Sequence, residues 1–217
     1  MSTSSRAATV SRARRSTAQR RRAAGRRRRL LLRTAGLGAC VVGFVLLLPV
    51  FRAVVRDLEL PLQYQDIIRE QAADKHLDPA LIAAVIYAET KFDPRTSPTG
   101  AEGLMQIEPQ TAEFLAHRSG GTTFTMADLG TPAVNIAYGS YYLRYLLNEY
   151  GGNKLMALAA YNGGETNVDH WIAAARAAGH AFTAADIPFP QTRAYVERVI
   201  QAQSDYRHTY PTELGYR

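Results

Sequence analysis

Residues 80–90, ALIAAVIYAET, form an eleven-residue run with no glycine, no proline and one charged side chain, Glu89. Asp78-Pro79 stands directly before it. A capping acid followed by proline in the first turn is a helix-start signal. On a wheel of about 100° per residue, with Leu81 at about 0°, Val85 falls at about 40°, Ile82 at about 100° and Ile86 at about 140°. Glu89 falls at about 80°, inside the apolar arc these residues define. An ionised carboxylate facing a core is costly. Its simplest escape is a raised pKa, which leaves a neutral acid able to donate a proton. A glutamate at a helix end can equally emerge at the core edge and meet solvent or Lys91, and both readings stand at this point.

Outward from this run, helical spacing recurs and strand alternation does not. Residues 62–75 carry Ile67, Ile68, Gln71 and Ala72 at helical spacing. Residues 132–150 place Ile136, Leu143, Leu146, Leu147 and Tyr150 on one face. A short alanine-rich helix over 154–161 is stopped by Asn162-Gly163-Gly164, and further helices are predicted over 165–178 and 191–207. Asp186-Ile187-Pro188-Phe189-Pro190 reads as a rigid linker before the last of these. The longest irregular region is 92–103, with Asp93-Pro94, Ser97-Pro98 and Gly100, and long loops beside strong helices are common places for function. The predicted domain is mostly α and spans residues 63–210.

The net charge of +7 conceals two opposite halves. Residues 1–56 hold 14 arginines and no acid, while residues 57–217 hold the other 12 basic residues and all 19 acids, giving 12 − 19 = −7. The pI of 9.7 is therefore not that of a basic folded domain. Residues 1–29 lack the apolar side chains to offset their ordering entropy and are expected to be a disordered arginine-rich tail. Thr34 to Phe51 is 18 residues without a charge, and Leu30-Leu31-Leu32 extends it if Arg33 snorkels. Residues 30–53 are therefore expected to be an uncleaved transmembrane helix, and 54–62 a linker. The alternatives are a cleaved signal peptide, which Val50-Phe51-Arg52-Ala53 fits poorly, a lipoprotein box at Leu37-Gly38-Ala39-Cys40, whose apolar region follows the cysteine, and a twin-arginine signal, which Arg28-Arg29-Leu30-Leu31 faintly resembles. The arginines before the span predict a cytoplasmic N-terminus, with residues 57–217 on the cell-wall side of the membrane. Contact of the tail with anionic lipid is compatible with this, and no specific nucleic-acid partner is expected.

The remaining chemistry is sparse. One cysteine excludes an internal disulfide, and the five histidines show no metal-ligand spacing, so neither metal nor cofactor is expected. No nucleophile-elbow or phosphate-cradling glycine motif occurs. Twelve tyrosines and one tryptophan suit a groove for sugar rings, although core packing accounts for most of them equally well.

Ala88-Glu89-Thr90-Lys91-Phe92-Asp93-Pro94, then Ser97-Pro98-Thr99-Gly100-Ala101-Glu102-Gly103-Leu104-Met105-Gln106-Ile107 and Pro109-Gln110-Thr111-Ala112, resembles the first signature of the soluble lytic transglycosylase (SLT) domain family. Asn135, Gly139 and Tyr142-Leu143 resemble its next motif, Ala159-Ala160-Tyr161-Asn162-Gly163-Gly164 the following one, and Gln191-Thr192-Arg193-Ala194-Tyr195-Val196 the last. The four blocks occur in family order across about residues 64–207.

The resemblance implies a lysozyme-like helical domain acting on peptidoglycan strands between N-acetylmuramic acid and N-acetylglucosamine. It makes Glu89 the single catalytic acid and then base, closing a 1,6-anhydro ring without water. It puts Ser97, Met105, Gln106, Tyr161, Asn162, Gln191 and Tyr195 around the groove; Met105 is as well suited to the core, and Asn162 to a helix-ending turn. Three positions depart from the pattern. Thr90 replaces serine, Glu108 stands where an apolar residue is usual and adds a charge near the groove, and Gln191 replaces a common glutamate. Alternatives are a muramidase that adds water at the same bond, or a non-catalytic peptidoglycan-binding protein on this fold.

Overall fold

In a computed structural model of the chain, the described residues are Phe44, 46–48, Phe51, 59–119 and 124–216. The chain divides into two units, Met1–Arg56 and Asp57–Arg217. The expected tail lies outside the described residues, as do most of the expected transmembrane helix and linker. Among the described residues, no helix is long and apolar enough to cross a membrane.

The second unit is helical: α1 (Gln65–Lys75), α2 (Pro79–Thr90), α3 (Pro109–Ser119), α4 (Pro132–Glu149), α5 (Lys154–Gly163), α6 (Glu165–Ala177) and α7 (Pro190–Thr209). Short 3-10 turns at Met126–Gly130 and Ala184–Asp186 lead into α4 and α7. The only strand-like pairing among the described residues is an isolated antiparallel bridge between Glu102 and Ile107. α3 is the helix that periodicity alone did not find. It is short and carries only three buried residues, Ala112, Leu115 and Ala116.

α2 is the central element. Asp78 caps its start, the side chain accepting from Ala80 N at 3.0 Å. The helix packs chiefly on α7, and also on α1. Every residue from Ala80 to Ile86 is at most 3% exposed. That corrects the wheel reading: α2 has no polar face for an apolar arc to oppose. Ala80, Ala83 and Ala84 are as buried as Ile82 and Ile86, because small side chains let neighbouring helices approach from all sides. The half-buried state of Glu89 is therefore set by what surrounds the end of the helix.

At that end the chain reverses. Lys91 (φ 53°) and Phe92 (φ 64°) are consecutive non-glycine residues in the left-handed region, each costing about 1–2 kcal/mol. Burial of the Phe92 ring, packed 6.2 Å from Tyr206 of α7, offsets that cost. The packed unit continues past α7 to Tyr216: Leu214 is buried, and Tyr216 donates to the Asp78 carboxylate.

Candidate active site

The loop between α2 and α3 is built by its own side chains. Ser97 Oγ accepts from Ala101 N at 2.9 Å and shares a 2.8 Å bond with Thr99. Thr90 Oγ1 donates to Leu104 O at 2.8 Å, so threonine supplies the same hydroxyl as serine at this position. Asn135 of α4 is fully buried and ties the loop down. It accepts from Met105 N at 2.8 Å and donates to Glu102 O at 2.8 Å and Leu129 O at 3.1 Å. Gly103 sits at φ +76°, and a Cβ there would lie 2.3 Å from Asn135 Nδ2. Gly139, one turn on from Asn135, leaves room for Met105, whose Sδ would lie 2.4 Å from a Cβ.

A cleft of about 330 Å³ opens between this loop and α3, α4, α5 and the start of α7. Of the residues expected at the site, Glu89, Ser97, Gln106, Tyr161, Asn162 and Gln191 line it. Met105 does not. Its side chain is fully buried against Gly139, and only its backbone serves the site, the carbonyl accepting from Tyr161 Oη at 3.0 Å. The physical reason is the gap that glycine leaves in α4, which an unbranched thioether fills. Tyr195 is also buried, behind the lining. Gln106 adopts φ +48° and spends its amide on Arg95 O (2.7 Å) and Gly103 O (2.8 Å).

Burial raises the Glu89 pKa to about 7, against smaller lowering effects from the Tyr195 hydroxyl and the Arg198 and Arg95 guanidiniums. The Tyr195 hydroxyl stands beside the carboxyl but outside ordinary hydrogen-bond geometry, and it has no other partner among the described residues. Burial, then the Glu89 charge, pushes the phenols of Tyr161 and Tyr195 well above their usual value, so both remain neutral donors. Arg95 also donates to Glu89 O at 3.0 Å, anchoring the end of α2. The arrangement is an acid that holds its proton for much of the time at neutral pH, open to a cleft whose other lining is mostly uncharged and polar.

Sequence reasoning gave no site role to Thr99, Thr111, Tyr142, Arg95 or Arg198. Tyr142 was visible only as part of a motif, and its ring lies 5.3 Å from that of Tyr161. Nothing in the local sequence signals that the two arginines approach Glu89. No group of acids, histidines and cysteines able to hold a metal occurs among the described residues.

The transglycosylase SLT domain model matches residues 66–181. The chain belongs to the SLT domain family. The soluble lytic murein transglycosylase of Salmonella typhimurium is 35% identical over 157 residues, covering 68% of this chain and 23% of that protein. Its Escherichia coli K12 counterpart is 34% identical over 152 residues, with the same coverage. The transglycosylase of phage PRD1 is 39% identical over 111 residues, covering 51% of this chain and 38% of that protein. The solved 70-kDa soluble lytic transglycosylase of Escherichia coli superposes with a TM-score of 0.65 at 30% identity, over 74% of this chain and 28% of that one. A complex of the 70-kDa soluble lytic transglycosylase with bulgecin A matches equally well. This chain thus spans 23% of the length of its first curated relatives. The lysozyme-like, mostly helical fold expected from the resemblance is the fold observed, and the family motifs are the contacts that build the Glu89 site.

Proposed function

We propose that the chain is a peptidoglycan lytic transglycosylase that cleaves the β-1,4 bond from N-acetylmuramic acid to N-acetylglucosamine. The observation that carries this reading is Glu89, a carboxyl raised by burial to about 7 and lining the cleft. Such a group is protonated for much of the time at neutral pH and is close to isoenergetic in both states, as an acid that becomes a base must be. Glu89 gives its proton to the glycosidic oxygen as the C1–O bond breaks. The resulting carboxylate takes the proton of the muramyl C6 hydroxyl, whose oxygen bonds to C1. The ring closes and no water is consumed. An internal hydroxyl needs no second carboxylate to activate it, because attachment to the sugar already positions it.

In this reading Ser97, Gln106, Tyr161, Asn162 and Gln191 hold the strand against Glu89, and Tyr195 stabilises the ionised carboxyl from behind. Met105 acts through the carbonyl that orients Tyr161. Mass spectrometry of peptidoglycan digested by the full chain is the test. Anhydro ends are expected, with Glu89→Gln cutting turnover about 10²–10⁴-fold while still binding glycan. A product heavier by one water assigns hydrolysis, and cleavage undiminished in Glu89→Gln removes Glu89 from the chemistry.

The same reading places residues 30–53 in the cell membrane, with the arginine tail against the anionic cytoplasmic leaflet and the SLT domain facing the wall. Its supports are the uncharged stretch from Thr34 to Phe51, the arginines before it, and the exposure of Phe44, Leu46, Leu47 and Phe51 at 66–69%. Protease added outside spheroplasts should digest the SLT domain and spare a tag on Met1; the reverse pattern refutes the orientation.

A further inference from the structure

Two carboxylates line the cleft, and the chemistry above uses only Glu89. The other is Glu108, directly before Pro109, the first residue of α3. Its backbone carbonyl accepts from Ala112 N at 2.9 Å and closes the first helical turn. Its carboxylate makes no hydrogen bond or ion pair among the described residues. An acid at a helix N-terminus is favoured by the helix dipole, which makes the charge tolerable there but does not require it to face a cleft. No lysine, arginine or histidine lines the cleft, so the charge goes unneutralised from within it.

The wall beside Glu108 is aromatic. Tyr142 lines the same cleft, its ring packed 5.3 Å from Tyr161 and stacked 6.1 Å from Tyr145. Its phenol lies near both Glu108 and Glu165, and Glu165 is itself occupied by the Tyr145 hydroxyl at 3.0 Å. Arg118, the cation of α3, stacks over Tyr145 at 4.8 Å and lies ten residues along the helix from Glu108, about 15 Å in rise. An unpaired carboxylate attracts a cation, and an ammonium group donates to it in a charge-assisted hydrogen bond. Neutral hydroxyls and acetamido groups are served by Ser97, Gln106 and Asn162 and need no charge.

We propose that Glu108, with Tyr142 beside it, is a specificity residue that favours strands bearing a primary ammonium group. The source is either a sugar whose amine lacks its acetyl group or the side-chain amine of a stem peptide. The proposal rests on the reading of the cleft as the glycan site.

Binding tests it without turnover, so failure to find anhydro products and failure of this proposal are separable. The full chain carrying Glu89→Gln is titrated calorimetrically, at low salt, with a β-1,4-linked glucosamine oligomer and with its fully N-acetylated counterpart. A second pair of probes is an N-acetylated glycan whose stem peptides carry a free or an acetylated side-chain amine. The free amine should bind about fivefold more tightly in at least one pair. The gain should fade as salt is raised. Adding Glu108→Gln should abolish it, whereas adding Glu113→Gln, an exposed position on α3 away from the cleft, should not. Preference in the first pair assigns the ammonium to the sugar, and preference in the second to the peptide. No amine preference in either pair, or equal loss in the Glu113→Gln protein, overturns the proposal.

Discussion

Glu89 carries a thermodynamic cost that can be read separately from its chemistry. Its carboxyl titrates near 7 in the folded protein, against an ordinary value of 4.5. The folded state therefore binds the proton more tightly than the unfolded chain. The stability of the neutral form is fully present below pH 4.5 and is lost progressively as pH rises to about 7. The interval corresponds to on the order of 3 kcal/mol. Glu89→Gln should accordingly leave the thermal midpoint at pH 4 nearly unchanged and raise it at pH 8, in the same protein that has lost cleavage. Equal midpoints for the two proteins at pH 8 would mean that the carboxyl is not desolvated.

At the scale of elements, what holds the reactive loop is a lock between two motifs distant in sequence. The loop brings the Met105 N–H and the Glu102 carbonyl, the 3-10 turn before α4 brings the Leu129 carbonyl, and one asparagine of α4 bonds all three. Removing it leaves Met105 N and Leu129 O without their partner, at about 1–3 kcal/mol each before relaxation, while Glu102 O keeps its 3.0 Å bond from Ile107 N. Asn135→Ala should lower stability by several kcal/mol and also impair cleavage, because the carbonyl that orients Tyr161 belongs to Met105. Gly139→Ala probes the same lock from its other side. A Cβ at 2.4 Å from Met105 Sδ forces the thioether to move, at about 1–3 kcal/mol. Pairing it with a smaller residue at position 105 should recover part of that loss, as chemical denaturation would measure.

At the scale of the whole SLT domain, Asp78 joins what the chain order separates. Besides capping α2, it receives hydrogen bonds from Gln203 and Arg207 of α7 and from Tyr216. Burial alone would raise its pKa, but the bonds from Tyr216, Gln203, Arg207 and Ala80 outweigh it and hold the carboxyl below its usual range. Its contribution is present above the ordinary carboxylate pKa and is lost as pH falls through that range. Asp78→Ala should cost about 2–4 kcal/mol at pH 7 and distinctly less in acid, as urea unfolding would record. The Tyr206 and Tyr210 hydroxyls donate to Pro61 O and Leu60 O, so the last turn of α7 and the residue that caps it also hold residues 60–61.

Much of this was decided locally and was legible in the residues. The start of α2 follows from Asp78-Pro79, and its extent from the absence of a breaker. The stop of α5 follows from Gly164 at φ +83°. The loop motif is legible because its glycines and hydroxyls satisfy backbone geometry within a few residues. The tertiary structure alone decided that α2 is buried all round and that Met105 turns inward, whereas a Glu108 charge near the groove was already implied by the motif that precedes Pro109. It also decided that the Asp78 cap is shared with the far end of the chain. It set the Glu89 pKa too, because desolvation depends on which atoms displace water around a group. Tyr195 and Arg198 come from the last helix, and no local pattern records their approach. Dihedral preferences and caps act over a handful of residues, whereas burial and electrostatics sum over everything nearby in space.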